Sequence, residues 1–142
     1  MATIFTKIIN GDIPGRFVWS DDVCIGMLDI RPLHHGHVLV IPRAEVDHWI
    51  DLPSETAVHL MEVAHIIGNA QQRVVGSERI GLMIAGFEVP HTHVHVVPIE
   101  SMGDLDFRNA DTSPQADSLD SVAEELRAAL REAGHGEAVP SS

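Results

Sequence analysis

Residues 91–97 read His-Thr-His-Val-His-Val-Val, and this alternation constrains the fold more than any other stretch of the chain. On an extended strand, side chains point to opposite faces with a period of two, so His91, His93 and His95 share one face while Thr92, Val94 and Val96 share the other. The apolar face needs a core to pack on. The strand is therefore expected to lie in a sheet covered on one side, with three imidazoles held on the other by a rigid backbone.

Around this segment the sequence predicts an α+β domain. Ile4-Phe5-Thr6-Lys7-Ile8-Ile9 has apolar residues at helical spacing and ends at the turn signal Asn10-Gly11. Residues 16–20 and 23–29 are apolar and β-branched, and Asp21-Asp22 between them reads as the turn of a hairpin. His37-Val38-Leu39-Val40-Ile41, stopped by Pro42, reads as a buried central strand. Residues 54–75 carry Val58, Met61, Val63, Ala64, Ile67 and Val74 at helical spacing, between Pro53-Ser54-Glu55 and Gly76. Residues 80–86 and 92–99 supply two more strands, and short connections favour antiparallel pairing, giving a sheet of about five strands. Residues 101–117 read as loop. A C-terminal helix begins at Ser118-Leu119-Asp120, carries Val122, Leu126, Ala129 and Leu130 on one face, and ends at Gly134. A single domain over residues 1–134 is expected, followed by a frayed tail over 135–142.

Charge and composition narrow the partners. Nine Lys plus Arg against 21 Asp plus Glu give a net charge of -12, the wrong sign for neutralising a polymeric nucleic acid backbone. A mononucleotide remains compatible, because backbone N–H groups and imidazoles can hold a few phosphate oxygens without a lysine patch. No apolar run approaches the roughly 18 residues of a membrane span, and the first residues lack the basic and apolar pattern of a secretory signal, so a cytoplasmic protein that does not enter membranes is expected. The single cysteine, Cys24, lies in an apolar stretch and reads as a buried, inert thiol.

Two chemistries suit three imidazoles on one strand. They can ligate zinc, although the first and last are too far apart for easy tetrahedral closure and a ligand from elsewhere is needed. Alternatively one is a nucleophile, with its neighbours fixing its tautomer and stabilising charge on a phosphoryl group. A neutral imidazole is nucleophilic at pH 7 and leaves again more readily than an alkoxide. His59 and His65, on the main helix, read as surface or core histidines.

The segment 91–97 resembles the signature of the histidine triad (HIT) family, His-x-His-x-His followed by two apolar residues. Asp29-Ile30-Arg31-Pro32 with Gly36-His37-Val38-Leu39-Val40-Ile41-Pro42 resembles the family's nucleoside-binding strand and fourth histidine, and Ile4–Asn10 with Ile13-Pro14 resembles its N-terminal segment. The resemblance covers residues 3–99 and implies a HIT-like fold and a two-fold homodimer formed through the main helix and a sheet edge. It implies a hydrolase that binds a purine mononucleotide or dinucleoside polyphosphate and cleaves a phosphoramidate or phosphoanhydride bond without a cofactor. In that scheme His93 attacks the α-phosphorus, His95 contacts the phosphate and assists the leaving group, and His37 and His91 orient their neighbours. Asp29 accepts from the ribose hydroxyls, Phe5, Ile8, Leu28, Ile30 and Leu39 line the base pocket, and the backbone at Gly86 holds phosphate oxygens. A nucleotide-binding module with little turnover and a zinc-dependent hydrolase are the alternatives.

Three positions depart from the family pattern. The usual Gly-Gln-Ser/Thr segment is here Gly86-Phe87-Glu88, and the asparagine often found before it has no counterpart. Zinc-binding members carry two cysteines near the N-terminus where this chain has Thr3 and Thr6.

Overall fold

A computed structural model describes residues 1–142. The N-terminal helix α1 (Ile4–Ile9) is capped by Thr3, whose hydroxyl accepts from the Thr6 N–H. The hairpin β1 (Phe17–Ser20) and β2 (Cys24–Leu28) turns at Asp21, whose Oδ1 accepts from the N–H groups of Val23 and Cys24. β3 (Val38–Pro42) follows a turn at Gly36, where a φ of 87° requires a residue without a Cβ. The 22-residue helix α2 (Ser54–Val75) ends at Gly76 in the left-handed conformation. β4 (Arg79–Met83), β5 (Val94–Ile99) and α3 (Ala116–Leu130) complete the chain.

The five strands form one antiparallel sheet in the order β1-β2-β3-β5-β4. Alternation along the strands divides the core. Val38 and Val40 of β3 and Val94 and Val96 of β5 face α2 and α3, in a cluster with Leu60, Val63, Ile67, Val122, Leu126 and Leu130. Gln71 on α2 is fully buried and donates to the carbonyls of Gly36 and Val96, while Arg127 on α3 donates to that of Phe17. These bonds tie the two helices to the sheet and to the turn that leads into β3. The opposite face is covered by α1 at one end, where Phe5 and Ile8 pack on Ile25, Met27, Leu39 and Ile41. At the other end Leu105 and Ala110 pack on Leu33, Val97 and Ile99. Between these two covers, the sheet presents its histidines.

Several boundaries differ from the sequence reading. The ladder of β5 starts at Val94, not Thr92, because β3 ends at Pro42, which has no N–H to give; Thr92 instead donates to Val46 O at 2.7 Å. β4 stops at Met83. Residues 102–105 and 107–109, read as loop, form two short 3-10 turns. The tail after Gly134 makes a further 3-10 turn at Gly136–Ala138, with Ala138 and Val139 against the core and Pro140 O accepting from Arg131. No helix is long and apolar enough to cross a membrane.

Candidate active site

The four histidines singled out above converge on the open face, all less than 4% exposed. Only His95 lies in the ladder, opposite Leu39 on β3 and Met83 on β4. His91 and His93 project from the extended segment just before it, and the ring centroids of His93 and His95 are 4.9 Å apart.

Hydrogen bonds fix which ring nitrogen carries each proton. The Leu33 N–H donates to His37 Nδ1 at 3.0 Å, so the proton of His37 sits on Nε2, which donates to His95 Nδ1 at 3.0 Å. The proton of His95 then sits on Nε2, which is buried and has no partner in the protein. By the same logic His93 Nδ1 donates to the His91 carbonyl at 2.7 Å, leaving the lone pair on Nε2. His91 Nε2 donates to Pro42 O at 2.8 Å, and its Nδ1 accepts from the Thr3 hydroxyl at 2.8 Å. The site thus offers one imidazole lone pair on His93 beside one free N–H on His95.

Burial favours the neutral forms of His37, His91 and His95. Desolvation, then the positive charge that His95 and His93 would carry, holds His37 down to about 3. Burial and His93 hold His95 to about 4. Burial also lowers His91, against the opposing pull of Pro42 O and Glu45. Although Asp29 Oδ2 lies 3.7 Å from His37 Nε2, a neutral His37 already donating to His95 makes no ion pair with it. Asp29 itself is raised, first by burial and also by Glu88, against a hydrogen bond from the Arg31 N–H.

A cavity of about 220 Å³ opens beside His93 and His95. Phe5, Ile8, Leu28, Asp29, Ile30 and Leu39 all line it. Phe5 sets its ring edge-on to His93 at 4.9 Å, so α1 supplies both a pocket wall and a support for that histidine. Gly86 does not line this cavity; it borders an adjoining one with Phe87, Thr92 and His93. Sequence reasoning missed Glu45 and Phe107, and named Thr3 only as a departure from a zinc-binding pattern. Thr3 N–H and the Thr6 hydroxyl both donate to Glu45 Oε1, at 2.8 and 2.6 Å, and Thr3 continues the chain to His91. Phe107 places its ring 5.1 Å from that of His95. His59 lies 2.7 Å from Asp21 in a polar contact that ties α2 to the hairpin, away from the cavity.

The sequence pattern of the HIT domain family matches residues 10–102, and the chain belongs to this family. It is 33% identical over 100 residues to adenylylsulfatase HINT3 of Arabidopsis thaliana, a match covering 67% of this chain and 51% of that protein. This chain therefore spans about half the length of the plant relative. It is 30% identical over 103 residues to adenosine 5′-monophosphoramidase hnt1 of Schizosaccharomyces pombe, covering 69% of this chain and 74% of that protein. Among solved structures, a Zn-bound histidine triad family protein from Mycobacterium smegmatis superposes with a TM-score of 0.81 at 30% identity, covering 96% of this chain and 98% of that one. The family includes nucleotide-binding hydrolases.

Neither of the two clusters next to the histidines fits zinc. Thr3 and Thr6 offer hydroxyls where thiolates are needed, and their cluster with Glu45 and His91 is closed by hydrogen bonds. The ligand atoms of Asp29, His37 and His95 lie within 4.8 Å of one another. A metal there would need the lone pair of His37 Nε2, which forces its proton onto Nδ1 and against the Leu33 N–H.

Proposed function

We propose that this protein is a nucleotidyl hydrolase that acts at the α-phosphorus of a purine nucleotide through a covalent intermediate on His93. The observation that carries this reading is the pair of Nε2 atoms, a lone pair on His93 and a free N–H on His95, beside a cavity that also holds the Asp29 carboxylate. The His93 lone pair attacks the phosphorus, and the bond to the bridging nitrogen or oxygen breaks with its electron pair going to the leaving group. An anhydride leaving group departs as the anion, and an amine takes up a proton from solvent. Water then attacks the phosphorus, the P–N bond to His93 breaks, and the nucleoside monophosphate is released with one water consumed overall.

The remaining residues divide the work of binding. His95 is a hydrogen-bond donor to the phosphoryl group and leaving group rather than a proton source, because the chain from Leu33 through His37 has no place for a further proton. The apolar side chains of Phe5, Ile8, Leu28, Ile30 and Leu39 take the base, and Asp29 accepts from the ribose hydroxyls. The loop at Gly86 offers backbone N–H groups to phosphate oxygens. Glu88, in the position of a polar neutral residue elsewhere in the family, repels additional phosphate and favours a basic leaving group. A homodimer forms through the free edge of β4 and the exposed apolar side chains of Trp49, Val58, Met61 and Leu82.

The test is turnover of adenosine 5′-phosphoramidate and diadenosine polyphosphate by the wild type and by His93→Asn. Hydrolysis by the wild type alone, with nucleotide bound by both, is the expected result. Binding without hydrolysis by either would make the chain a nucleotide-binding module.

A further inference from the structure

Asp21, Cys24 and His59 meet where the turn of the β1–β2 hairpin touches α2, and none of them lines the cavity beside His93 and His95. Their ligand atoms, a carboxylate oxygen, a sulfur and a ring nitrogen, lie within 4.8 Å of one another. The hairpin itself sets two of the three. Asp21 Oδ1 accepts from the N–H groups of Val23 and Cys24, both at 2.8 Å, which leaves Oδ2 to the thiol and the helix. The Trp19 indole N–H donates to Oδ2 at 2.7 Å and fixes its orientation. His59 Nε2 donates to the same oxygen at 2.7 Å, and the Cys24 thiol does so at 3.7 Å. Indole, imidazole and thiol thus converge on one carboxylate oxygen, which has two lone pairs to offer three donors.

A cation in place of two of those protons relieves the crowding. We propose that Asp21, Cys24 and His59 form a zinc site, separate from the cavity at His93 and completed by water, that staples α2 to the hairpin. The charges fit: carboxylate and thiolate cancel the two charges of the ion, and the neutral imidazole adds none. Tetrahedral zinc, with bonds of about 2.0 Å to O and N and about 2.3 Å to S, sets O and N about 3.3 Å apart and O and S about 3.5 Å apart. The sulfur is nearly in place, and the His59 ring has to move out by about half an ångström. Burial, then the Asp21 carboxylate, pushes the Cys24 thiol up, so the sulfur keeps its proton until an ion displaces it to solvent. The His59 proton passes through water from Nε2 to Nδ1, which makes no hydrogen bond within the protein. The same change is blocked at His37 by the Leu33 N–H. Cys24 is fully buried, whereas the side chains of Asp21 and His59 are 22% and 32% exposed, so the ion enters from the His59 side and its water faces solvent.

Cys24 is the only cysteine of the chain, so a thiolate-to-metal charge-transfer band reports this site alone. The metal-stripped, reduced protein is to be titrated with cobalt(II) as a spectroscopic substitute for zinc. The expected result is a near-ultraviolet thiolate-to-cobalt band with visible bands of tetrahedral intensity, saturating at one ion per chain and displaced by zinc. His59→Asn weakens cobalt binding by at least about tenfold, while far-ultraviolet circular dichroism without metal reports that the variant is folded. Zinc at about a hundredfold of its Kd raises the Tm of the wild type by about 5 to 10 °C, and the same concentration raises that of His59→Asn far less. Cobalt bound without the charge-transfer band, which would put it on the other histidines, overturns the site, as does a band of unchanged affinity in His59→Asn. Should His59→Asn fail to fold, the wild-type titration decides alone, and no thiolate band means no site.

Discussion

Acidification should weaken this protein well above the pH at which carboxylates titrate. His37 and His95 remain neutral in the fold down to about 3 and about 4, against an ordinary value of 6.5. The folded state therefore refuses protons that the unfolded chain accepts. Their contribution to stability is fully present above about pH 6.5 and is lost as the pH falls from there toward the folded-state values. Each group contributes a slope approaching about 1.4 kcal/mol per pH unit in that window. Between about pH 7 and about pH 5.5 the two together remove about 2.5 kcal/mol, a large part of the total for a domain of this size. His91 is lowered as well and adds in the same direction, whereas Asp29, raised in the fold, acts in the opposite sense in a window beginning near 3.8. Urea denaturation at the two pH values measures the difference. A His37→Leu variant, less stable at every pH, should show a shallower slope, since it removes one of the contributing groups. Equal stability at both pH values would mean that the buried histidines accept protons in the native state, and the hydrogen-bond direction from Leu33 through His37 to His95 would then be wrong.

Two further outcomes test the supports of the site and its assembly. Thr3→Val keeps the shape of the side chain but removes the donor to His91 Nδ1; it is expected to lower kcat about tenfold while leaving nucleotide affinity little changed, with Thr3→Ser restoring activity, as steady-state kinetics and AMP titration would show. A loss confined to affinity would place Thr3 in the nucleoside pocket instead. Met61→Glu puts a charge on the exposed apolar face of α2 and is expected to turn a dimer into a monomer in sedimentation experiments; an unaltered mass would move the interface elsewhere.

Much of this architecture was legible because it is written in local patterns. The hairpin, the central strand after Gly36 and the helix ending at Gly76 each carry their own periodicity and stop signal. The His-x-His-x-His alternation marked the candidate site, and His37 was added through the resemblance to the family; the structure brings the four imidazoles together on one face. Strand ends were less legible, since where β5 begins depends on Pro42, a residue of another strand that cannot donate. The supports of the site were not legible at all. Thr3 meets His91 across 88 positions of sequence and Glu45 across 42, and neither contact leaves a local trace. Phe107 sits in a stretch rich in Asp, Asn and Gly that reads as loop, and only its anchoring on Leu33, Gly81 and Pro32 brings it to His95.

Whether His93 is the nucleophile can be read from rapid-quench mass spectrometry. The protein is mixed with adenosine 5′-phosphoramidate, quenched within the first turnover at a pH that preserves phosphohistidine, and mapped by peptide. An adenylyl adduct is expected on the peptide containing His93, formed before AMP appears and missing from His93→Asn. Turnover without any adduct, or an adduct on His37, His91 or His95, would contradict it.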